Sequence, residues 1–188
     1  YYMYFGGIWG GQLQRWRNGV FNPKNPTSPT AFLPNDDEPA LLPLIAKMSD
    51  DLLEFAEKPR EVQILDEKGK LLLAGDNERR FFEAAWVHKY NEKYYFSYST
   101  GDTHFICYAI GDNPYGPFTY KGKILNPVVG WTSHHSICEF KGKWYLFYHD
   151  SSLSKGVTHL RSIKIAEIQY DKDGLIRTLE PYNDFSIL

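Results

Sequence analysis

The sequence predicts an all-β protein built from propeller blades, and two observations support that prediction. Residues 90–98 align with residues 140–148 at an offset of 50, and in both copies a short polar turn separates two aromatic-rich runs. Such runs on either side of a polar turn are typical of β-hairpins. The chain also contains 14 Tyr, 12 Phe and 5 Trp, a content that suits β-sheets. Hairpins that repeat at about this period indicate the blades of a β-propeller.

The chain begins with what we interpret as a partial blade. Residues 1–5 have the aromatic texture of residues 94–98, so we assign them to a second strand whose first strand is missing. Residues 6–40 contain five prolines and no periodicity, which predicts a long loop. We place a third strand within residues 40–48 because the repeat requires one there, although periodicity alone would also allow a short helix. Residues 50–57 are expected to add a helical turn.

Two four-stranded units are expected to follow. In the first, the hairpin leads into strands at residues 104–110 and 118–125, which are separated by a dense turn signal. The strands expected in the second unit are residues 136–140, 143–149, 161–170 and 176–180. We therefore treat residues 1–188 as one partial propeller domain. Its parts are a partial blade with the loop at 6–40, a middle blade and a last blade, at residues 1–80, 81–130 and 131–188.

The composition excludes several classes of function. With 21 basic and 23 acidic side chains and a net charge of -2, the chain has no electrostatic case for binding nucleic acid. No stretch approaches the roughly 18 apolar residues of a membrane span, so no membrane partner is expected. The opening residues read as the middle of a strand, so no signal peptide can be identified and the compartment is not predicted. The two cysteines, Cys107 and Cys138, are expected to be two buried small hydrophobes rather than a disulfide.

Spacing points to one cluster of polar residues. The innermost strands of a propeller line its axis, so residues at their starts converge on one face. Glu83 and His134 precede such strands in successive units, and 134 − 83 = 51 is one blade step. Arg161 begins a third strand, which also starts on that face. The apolar surroundings of Glu83 suit a general acid that is protonated near neutral pH, although a capping role or an ion pair with Arg79 or Arg80 is the alternative.

A resemblance to a known family adds to this interpretation. The relevant stretches are Phe82-Glu83-Ala84-Ala85-Trp86, Lys93-Tyr94-Tyr95-Phe96-Ser97-Tyr98-Ser99, Asn113-Pro114-Tyr115-Gly116-Pro117-Phe118, Ser133-His134-His135-Ser136-Ile137 and Lys143-Trp144-Tyr145-Leu146-Phe147-Tyr148-His149. In this order and spacing they resemble glycoside hydrolase family 43. That family consists of five-bladed β-propeller enzymes that invert the anomeric centre, and it includes β-xylosidases, α-L-arabinofuranosidases and endo-arabinanases. The resemblance implies that this chain supplies about three of the five blades.

The resemblance also implies roles for particular residues. Glu83 matches the general acid, which protonates the leaving glycosidic oxygen. His134 matches an axial histidine that is often found on a central calcium or water cluster, and contact through water is the physical expectation for so hard a cation. Arg161 matches an arginine that contacts sugar hydroxyls. His135 is the alternative to His134 and a candidate substrate contact, with a core histidine as the other possibility. No cofactor is required for the chemistry, and a structural calcium is possible.

The loops supply three further candidates for substrate binding. The loop after residues 1–5 should rise on the active face, where Trp9 could stack on a sugar ring and Gln12 could bond to a hydroxyl. Trp131, just before His134, is a second stacking candidate. Simple packing remains an equal alternative for each of the three.

Two departures from the family pattern matter. Ala85 stands where the family commonly has a proline, which leaves the role of Glu83 plausible. The catalytic base and the aspartate that tunes the acid lie upstream of this region in the family, and no aspartate here matches either motif. We therefore expect the 188 residues alone to be inactive.

The function expected from these observations is a glycosidase that releases xylose or arabinose from plant oligo- or polysaccharides of the xylan or arabinan type. An endo-arabinanase of the same family is one alternative, and a propeller that binds carbohydrate without catalysis is another. The identity of the pentose, the linkage and the oligomeric state are not predicted.

Overall fold

The computed structural model describes residues 1–10, 12–17, 20–24, 28, 30–131 and 133–182, which form thirteen strands and one 3-10 turn at Leu13–Arg15. The strands are β1 (Tyr2–Phe5), β2 (Trp16–Arg17), β3 (Val20–Phe21), β4 (Leu44–Lys47), β5 (Arg60–Glu61), β6 (Ile64–Leu65), β7 (Glu83–Tyr90), β8 (Lys93–Ser99), β9 (Ile106–Gly111), β10 (Phe118–Leu125), β11 (His135–Phe140), β12 (Lys143–Asp150) and β13 (Ser162–Ile168).

Three sheets correspond to the three blades. Their strand orders are β1-β4-β5, β6-β10-β9-β8-β7 and β11-β12-β13, and β2 and β3 form a separate hairpin. The pairings are antiparallel except that β6 runs parallel to β10. The predicted all-β class and propeller architecture are confirmed, and so is the third strand of the partial blade, which is β4.

One local prediction is only partly right and another is wrong. Residues 176–180 are expected to form the fourth strand of the last blade. Ile176 does pair with Tyr170 in that blade, but Leu179 bridges to Leu125 at the end of β10. The Leu179 N–H donates to the Ile124 carbonyl at 2.8 Å, so the segment leaves the last blade for the middle one. Residues 50–57 form no helical turn, because the segment folds back through a bridge between Met48 and Phe55.

The long loop contains structure that its sequence does not reveal. The β2–β3 hairpin is braced by Arg15, whose Nε donates to the Asn22 carbonyl at 2.9 Å. Ile8 and Leu13 are buried and fix the base of the loop to the blades. The Ile8 N–H donates to the Phe82 carbonyl at 2.9 Å, which places the start of the loop beside the entry to β7.

The core consists of two clusters, one on each side of the middle sheet. Successive side chains of a strand point to opposite faces, so Phe96 and Tyr98 of β8 enter the cluster shared with the first sheet. Tyr95 of the same strand enters the cluster shared with the last sheet, where it meets Ile137 and Leu146. This alternation explains why β8 is aromatic at consecutive positions: it is covered on both faces.

Within the described residues both cysteines are free thiols. The expected burial is confirmed for Cys107 and is wrong for Cys138, which is exposed. The described part of the chain contains no helix with the length and apolarity needed to cross a membrane.

Candidate active site

Glu83 is the first residue of β7, where the strand enters the blade. The pairing of β7 with β8 shifts register between Glu83 and Trp86, and Ala84 between them has a positive φ of 62°. Irregularities of this kind turn a side chain away from the regular alternation of the strand. The Glu83 side chain is 24% exposed, so it is reachable but largely surrounded by protein.

His134 lies beside Glu83, with its Nε2 atom 3.3 Å from Glu83 Oε1. The two innermost strands are held in register because the Trp86 indole N–H donates to the Ile137 carbonyl at 3.2 Å. The predicted adjacency of Glu83 and His134 is therefore confirmed. The role of each residue stays a prediction.

The two arginines considered as alternative partners of Glu83 are engaged elsewhere. Arg79 pairs with Asp76, at 2.6 Å between Nη2 and Oδ2, and with Glu67. Arg80 donates from Nε to the Ala74 carbonyl at 2.8 Å. These contacts hold both guanidinium groups to the segment before β7.

Arg161 immediately precedes β13 rather than beginning it, and it reaches His149 near the end of β12. Arg161 Nε donates to the Thr158 carbonyl at 2.9 Å, and Nη1 lies 3.3 Å from His149 Nε2. The His134 backbone N–H donates to the same His149 Nε2 atom at 3.0 Å. The structure thus joins Glu83, His134 and Arg161 in one continuous cluster through His149.

His149 was missed in the sequence analysis, although the repeat contained a signal for it. His149 follows Ser99 by 149 − 99 = 50 positions, one repeat, and Ser99 pairs directly with Glu83 in the β7–β8 ladder. The equivalent position in the last blade must therefore lie beside the entry to β11, where His134 is. The pKa of His149 is lowered from 6.5 to about 4, first by burial and then by the positive charge of Arg161 and by His134.

His135 points between the blades. Its Nε2 atom lies 2.7 Å from Ser97 Oγ on β8, and its Nδ1 atom is buried without a hydrogen-bond partner in the described part of the chain. Burial lowers the pKa of His135 to about 3, with a further contribution from His134 and His88. This placement favours the alternative of a core histidine over contact with substrate.

The loop candidates Trp9, Gln12 and Trp131 are all exposed. Trp9 is 50% exposed and follows the residue that bonds to Phe82, so its loop is anchored directly before Glu83. Gln12 occupies a turn in which its N–H donates to the Trp9 carbonyl at 3.1 Å.

On the other side, Trp131 is also 50% exposed. Its ring meets His104 edge-on, with ring centroids 5.1 Å apart. Trp9 and Trp131 are thus anchored by loops next to Glu83 and His134, respectively.

The side chains present do not fit a directly bound calcium ion. The described residues contain no group of three or more His, Cys, Asp or Glu side chains that could hold a metal. Calcium takes six to eight oxygen ligands, whereas His134 offers nitrogen beside the single carboxylate of Glu83.

Comparison with known proteins gives one consistent family. The sequence profile of "Glycosyl hydrolases family 43" matches residues 42–176. A xylosidase/arabinosidase of Bacteroides ovatus is 65% identical over 180 residues, which is 96% of this chain and 54% of the relative. Xylosidase/arabinosidase 43A of Humicola insolens is 60% identical over 188 residues, covering 96% of this chain and 55% of the relative. The chain thus spans about half the length of these relatives.

Solved structures give the same result. RS223-Beta-xylosidase superposes with a TM-score of 0.90 at 66% identity, over 96% of this chain and 54% of that one. CoXyl43, a GH43 beta-xylosidase/alpha-arabinofuranosidase from a compost microbial metagenome, superposes with a TM-score of 0.91 at 65% identity. That superposition covers 97% of this chain and 55% of CoXyl43, whose structure is a calcium-free complex with xylotriose.

Proposed function

The chain belongs to glycosyl hydrolase family 43, and on that premise we propose that it forms part of an inverting glycosidase that releases xylose or arabinose from xylan- or arabinan-type chains. The observation that carries the proposal is the 3.3 Å contact between Glu83 and His134, on a face bordered by exposed tryptophans. Relatives named xylosidase/arabinosidase and the xylotriose complex of CoXyl43 support the substrate class.

In this proposal Glu83 is the general acid. Its carboxyl group donates a proton to the glycosidic oxygen as the bond to the departing sugar breaks, so no alkoxide has to leave. Its side chain is 24% exposed, so the carboxyl can be reached by a bound substrate while most of its surface contacts protein.

The neighbouring groups bind and orient the sugar. Arg161 is a rigid donor for sugar hydroxyls, since a guanidinium presents several N–H groups in one plane. Trp9 and Trp131 offer flat faces on which sugar rings can stack, and Gln12 offers an amide to a hydroxyl. His134 holds the Glu83 carboxyl in place through their direct contact.

An inverting reaction also needs a base that activates water on the opposite side of the sugar, with the two carboxyl groups about 6.5–9.5 Å apart. No aspartate in the 188 residues matches the base motif of the family. We propose that the base and the aspartate that tunes Glu83 come from the rest of the protein.

A calcium ion, if one binds, is proposed to contact His134 only through water, because the side chains present do not form a direct calcium site. No step of the proposed reaction passes through a metal. Neither an endo-arabinanase nor a non-catalytic binding propeller is favoured, because the similar relatives are named for xylosidase and arabinosidase activities.

The test of this function is the stereochemistry of the first product. Proton NMR of xylo-oligosaccharide hydrolysis by the complete protein should show the anomer opposite to the substrate linkage before mutarotation. Retention of configuration would contradict the inverting mechanism, and the absence of any pentose release would contradict the proposed function as a whole.

A further inference from the structure

The imidazole of His149 is a shared acceptor at the centre of the candidate site. Its Nε2 atom lies 3.0 Å from the backbone nitrogen of His134 and 3.3 Å from Nη1 of Arg161. A backbone N–H and a guanidinium N–H can only donate hydrogen bonds. The Nε2 atom of His149 must therefore be unprotonated, and the neutral ring carries its proton on Nδ1.

The backbone at His149 is held by its neighbours. The Ser133 hydroxyl donates to the His149 carbonyl at 2.7 Å and accepts from the His149 N–H at 3.3 Å. The next residue, Asp150, is buried and pairs with Lys164 of β13 at 2.6 Å. Both contacts hold the chain at the end of β12, so the His149 ring starts from a backbone position that is fixed in the last blade.

The two donors connect His149 to the residue beside Glu83 and to the arginine that is proposed to bind the sugar. His134 places its imidazole against the Glu83 carboxyl, and its backbone is tied to His149. Arg161 is tied by Nε to the Thr158 carbonyl and by Nη1 to His149, and its Nη2 has no hydrogen-bond partner within the described residues. One lone pair thus fixes both the group beside the acid and the orientation of the sugar-binding guanidinium.

We propose that His149 is a positioning residue of the glycosidase site, which holds Arg161 and the His134 backbone in the arrangement that binds the pentose at the acid. This inference rests on the proposed function. His149 acts through its neighbours and exchanges no proton with the substrate. Its contribution is the acceptor at the Nε2 position.

The experiment uses the complete protein and 4-nitrophenyl β-D-xylopyranoside and α-L-arabinofuranoside as substrates. His149→Phe removes the acceptor and keeps a flat ring, whereas His149→Gln can place an amide oxygen near the Nε2 position. His149→Phe should raise KM about 10- to 100-fold, the range expected for losing a hydrogen bond to a charged group. His149→Gln should recover most of that loss. Tyr145→Phe, on the same strand, is the matched control and should leave KM unchanged.

Coupling to Arg161 separates positioning from simple support of the fold. In an Arg161→Ala background, His149→Phe should raise KM less than about threefold further, because the guanidinium that it positions is gone. If the two effects on KM are instead independent, or if His149→Gln recovers nothing, the positioning role is wrong. His149→Asn is the second variant in case His149→Phe does not fold. Its amide lies near the Nδ1 position, so it should behave like the Phe variant.

The proposal and the proposed function fail in different ways. A wild-type protein that hydrolyses the substrates while His149→Phe and His149→Asn match it overturns the positioning role alone. A folded wild-type protein that hydrolyses neither substrate overturns the proposed function and the positioning role with it.

Discussion

The indole N–H of Trp86 donates to the backbone carbonyl of Ile137 at 3.2 Å, and this bond joins the innermost strands of two neighbouring blades. The two residues are 51 positions apart, the same separation as Glu83 and His134. Because Trp86 lies three residues after Glu83 in β7, the bond fixes the register in which Glu83 meets His134.

Replacing Trp86 by Phe should weaken this junction. The variant lacks the indole N–H, so the partly buried Ile137 carbonyl loses its donor. This loss should lower the free energy of unfolding by about 1–2 kcal/mol. Urea unfolding measures the change. Trp16→Phe is the matched control: its indole lies on the exposed hairpin, and the loss there should stay below about 0.5 kcal/mol. Equal losses in the two variants would show that the bond to Ile137 does not stabilise the junction.

Glu83→Gln in the complete protein should abolish turnover of natural xylo-oligosaccharides. The amide keeps the size of the side chain but cannot donate the proton, and general-acid catalysis is worth about 10²- to 10⁴-fold. The hydrolysis rate of aryl glycosides should fall less, because their good leaving groups depart without protonation. Steady-state rates on both substrate types measure the difference. The control is Glu92→Gln, a change in the exposed turn between β7 and β8, which should not alter either rate. Equal losses on both substrate types would mean that Glu83 is not the acid.

His88 should make the fold sensitive to acid. Its ring is buried against Tyr95 and Trp144, with Nε2 2.7 Å from the Tyr170 hydroxyl, and burial lowers its pKa from 6.5 to about 4. Between these pH values the unfolded chain binds a proton that the folded chain does not, so stability falls as the pH falls from about 6.5 towards 4.

The share of this one group is at most about 1.4 kcal/mol per pH unit. Urea unfolding at several pH values between 7 and 5 should show a shallower dependence for His88→Phe than for the wild type. His159→Phe, a change at an exposed histidine, should keep the wild-type dependence. If His88→Phe loses stability with acid as steeply as the wild type, His88 is not the source of the effect.

Removing only one partner of the buried Lys164–Asp150 ion pair should strongly lower the free energy of unfolding. Their side chains are 4% and 0% exposed. Burial alone would raise the pKa of Asp150, but hydrogen bonds from Lys164 and Ser152 lower it below its usual value.

Lys164→Met should therefore destabilise the fold by about 3–5 kcal/mol, since it leaves an uncompensated buried carboxylate. The double variant with Asp150→Leu should recover much of that loss, because no charge remains to be desolvated. Urea unfolding of the three proteins checks this, and a double variant no more stable than Lys164→Met would contradict the explanation.

The repeat made the central part of the fold and of the site predictable. The offset between residues 90–98 and 140–148 is enough to align β7 with β11, and with them Glu83 and His134. The alignment predicts their adjacency because each blade repeats the same strand pairing, so equivalent residues occupy equivalent places in successive blades.

What escaped prediction depends on contacts between segments that no repeat relates. The repeat relates His149 to Ser99, but its hydrogen bonds from the His134 backbone and from Arg161 come from two different loops that the repeat does not relate. Leu179 follows a turn signal that also precedes ordinary strands, and only the free end of β10 decides where it pairs. The hairpin formed by β2 and β3 lies in a stretch without periodicity, where buried Leu13 sets the course of the chain.

Because β6 pairs in parallel with β10, we expect that a single blade does not unfold as an independent unit. Residues that precede the middle blade in sequence, and Leu179 from beyond it, both bond to β10, so the middle sheet contains backbone from three successive repeats. In solenoids each repeat contacts only its neighbours and can unfold from one end. Here, melting either flanking repeat also removes hydrogen bonds from the central sheet. We expect the amide protons of β8, β9 and β10 to exchange through one shared opening, and proteolysis at a blade boundary to cut into a sheet instead of releasing a blade.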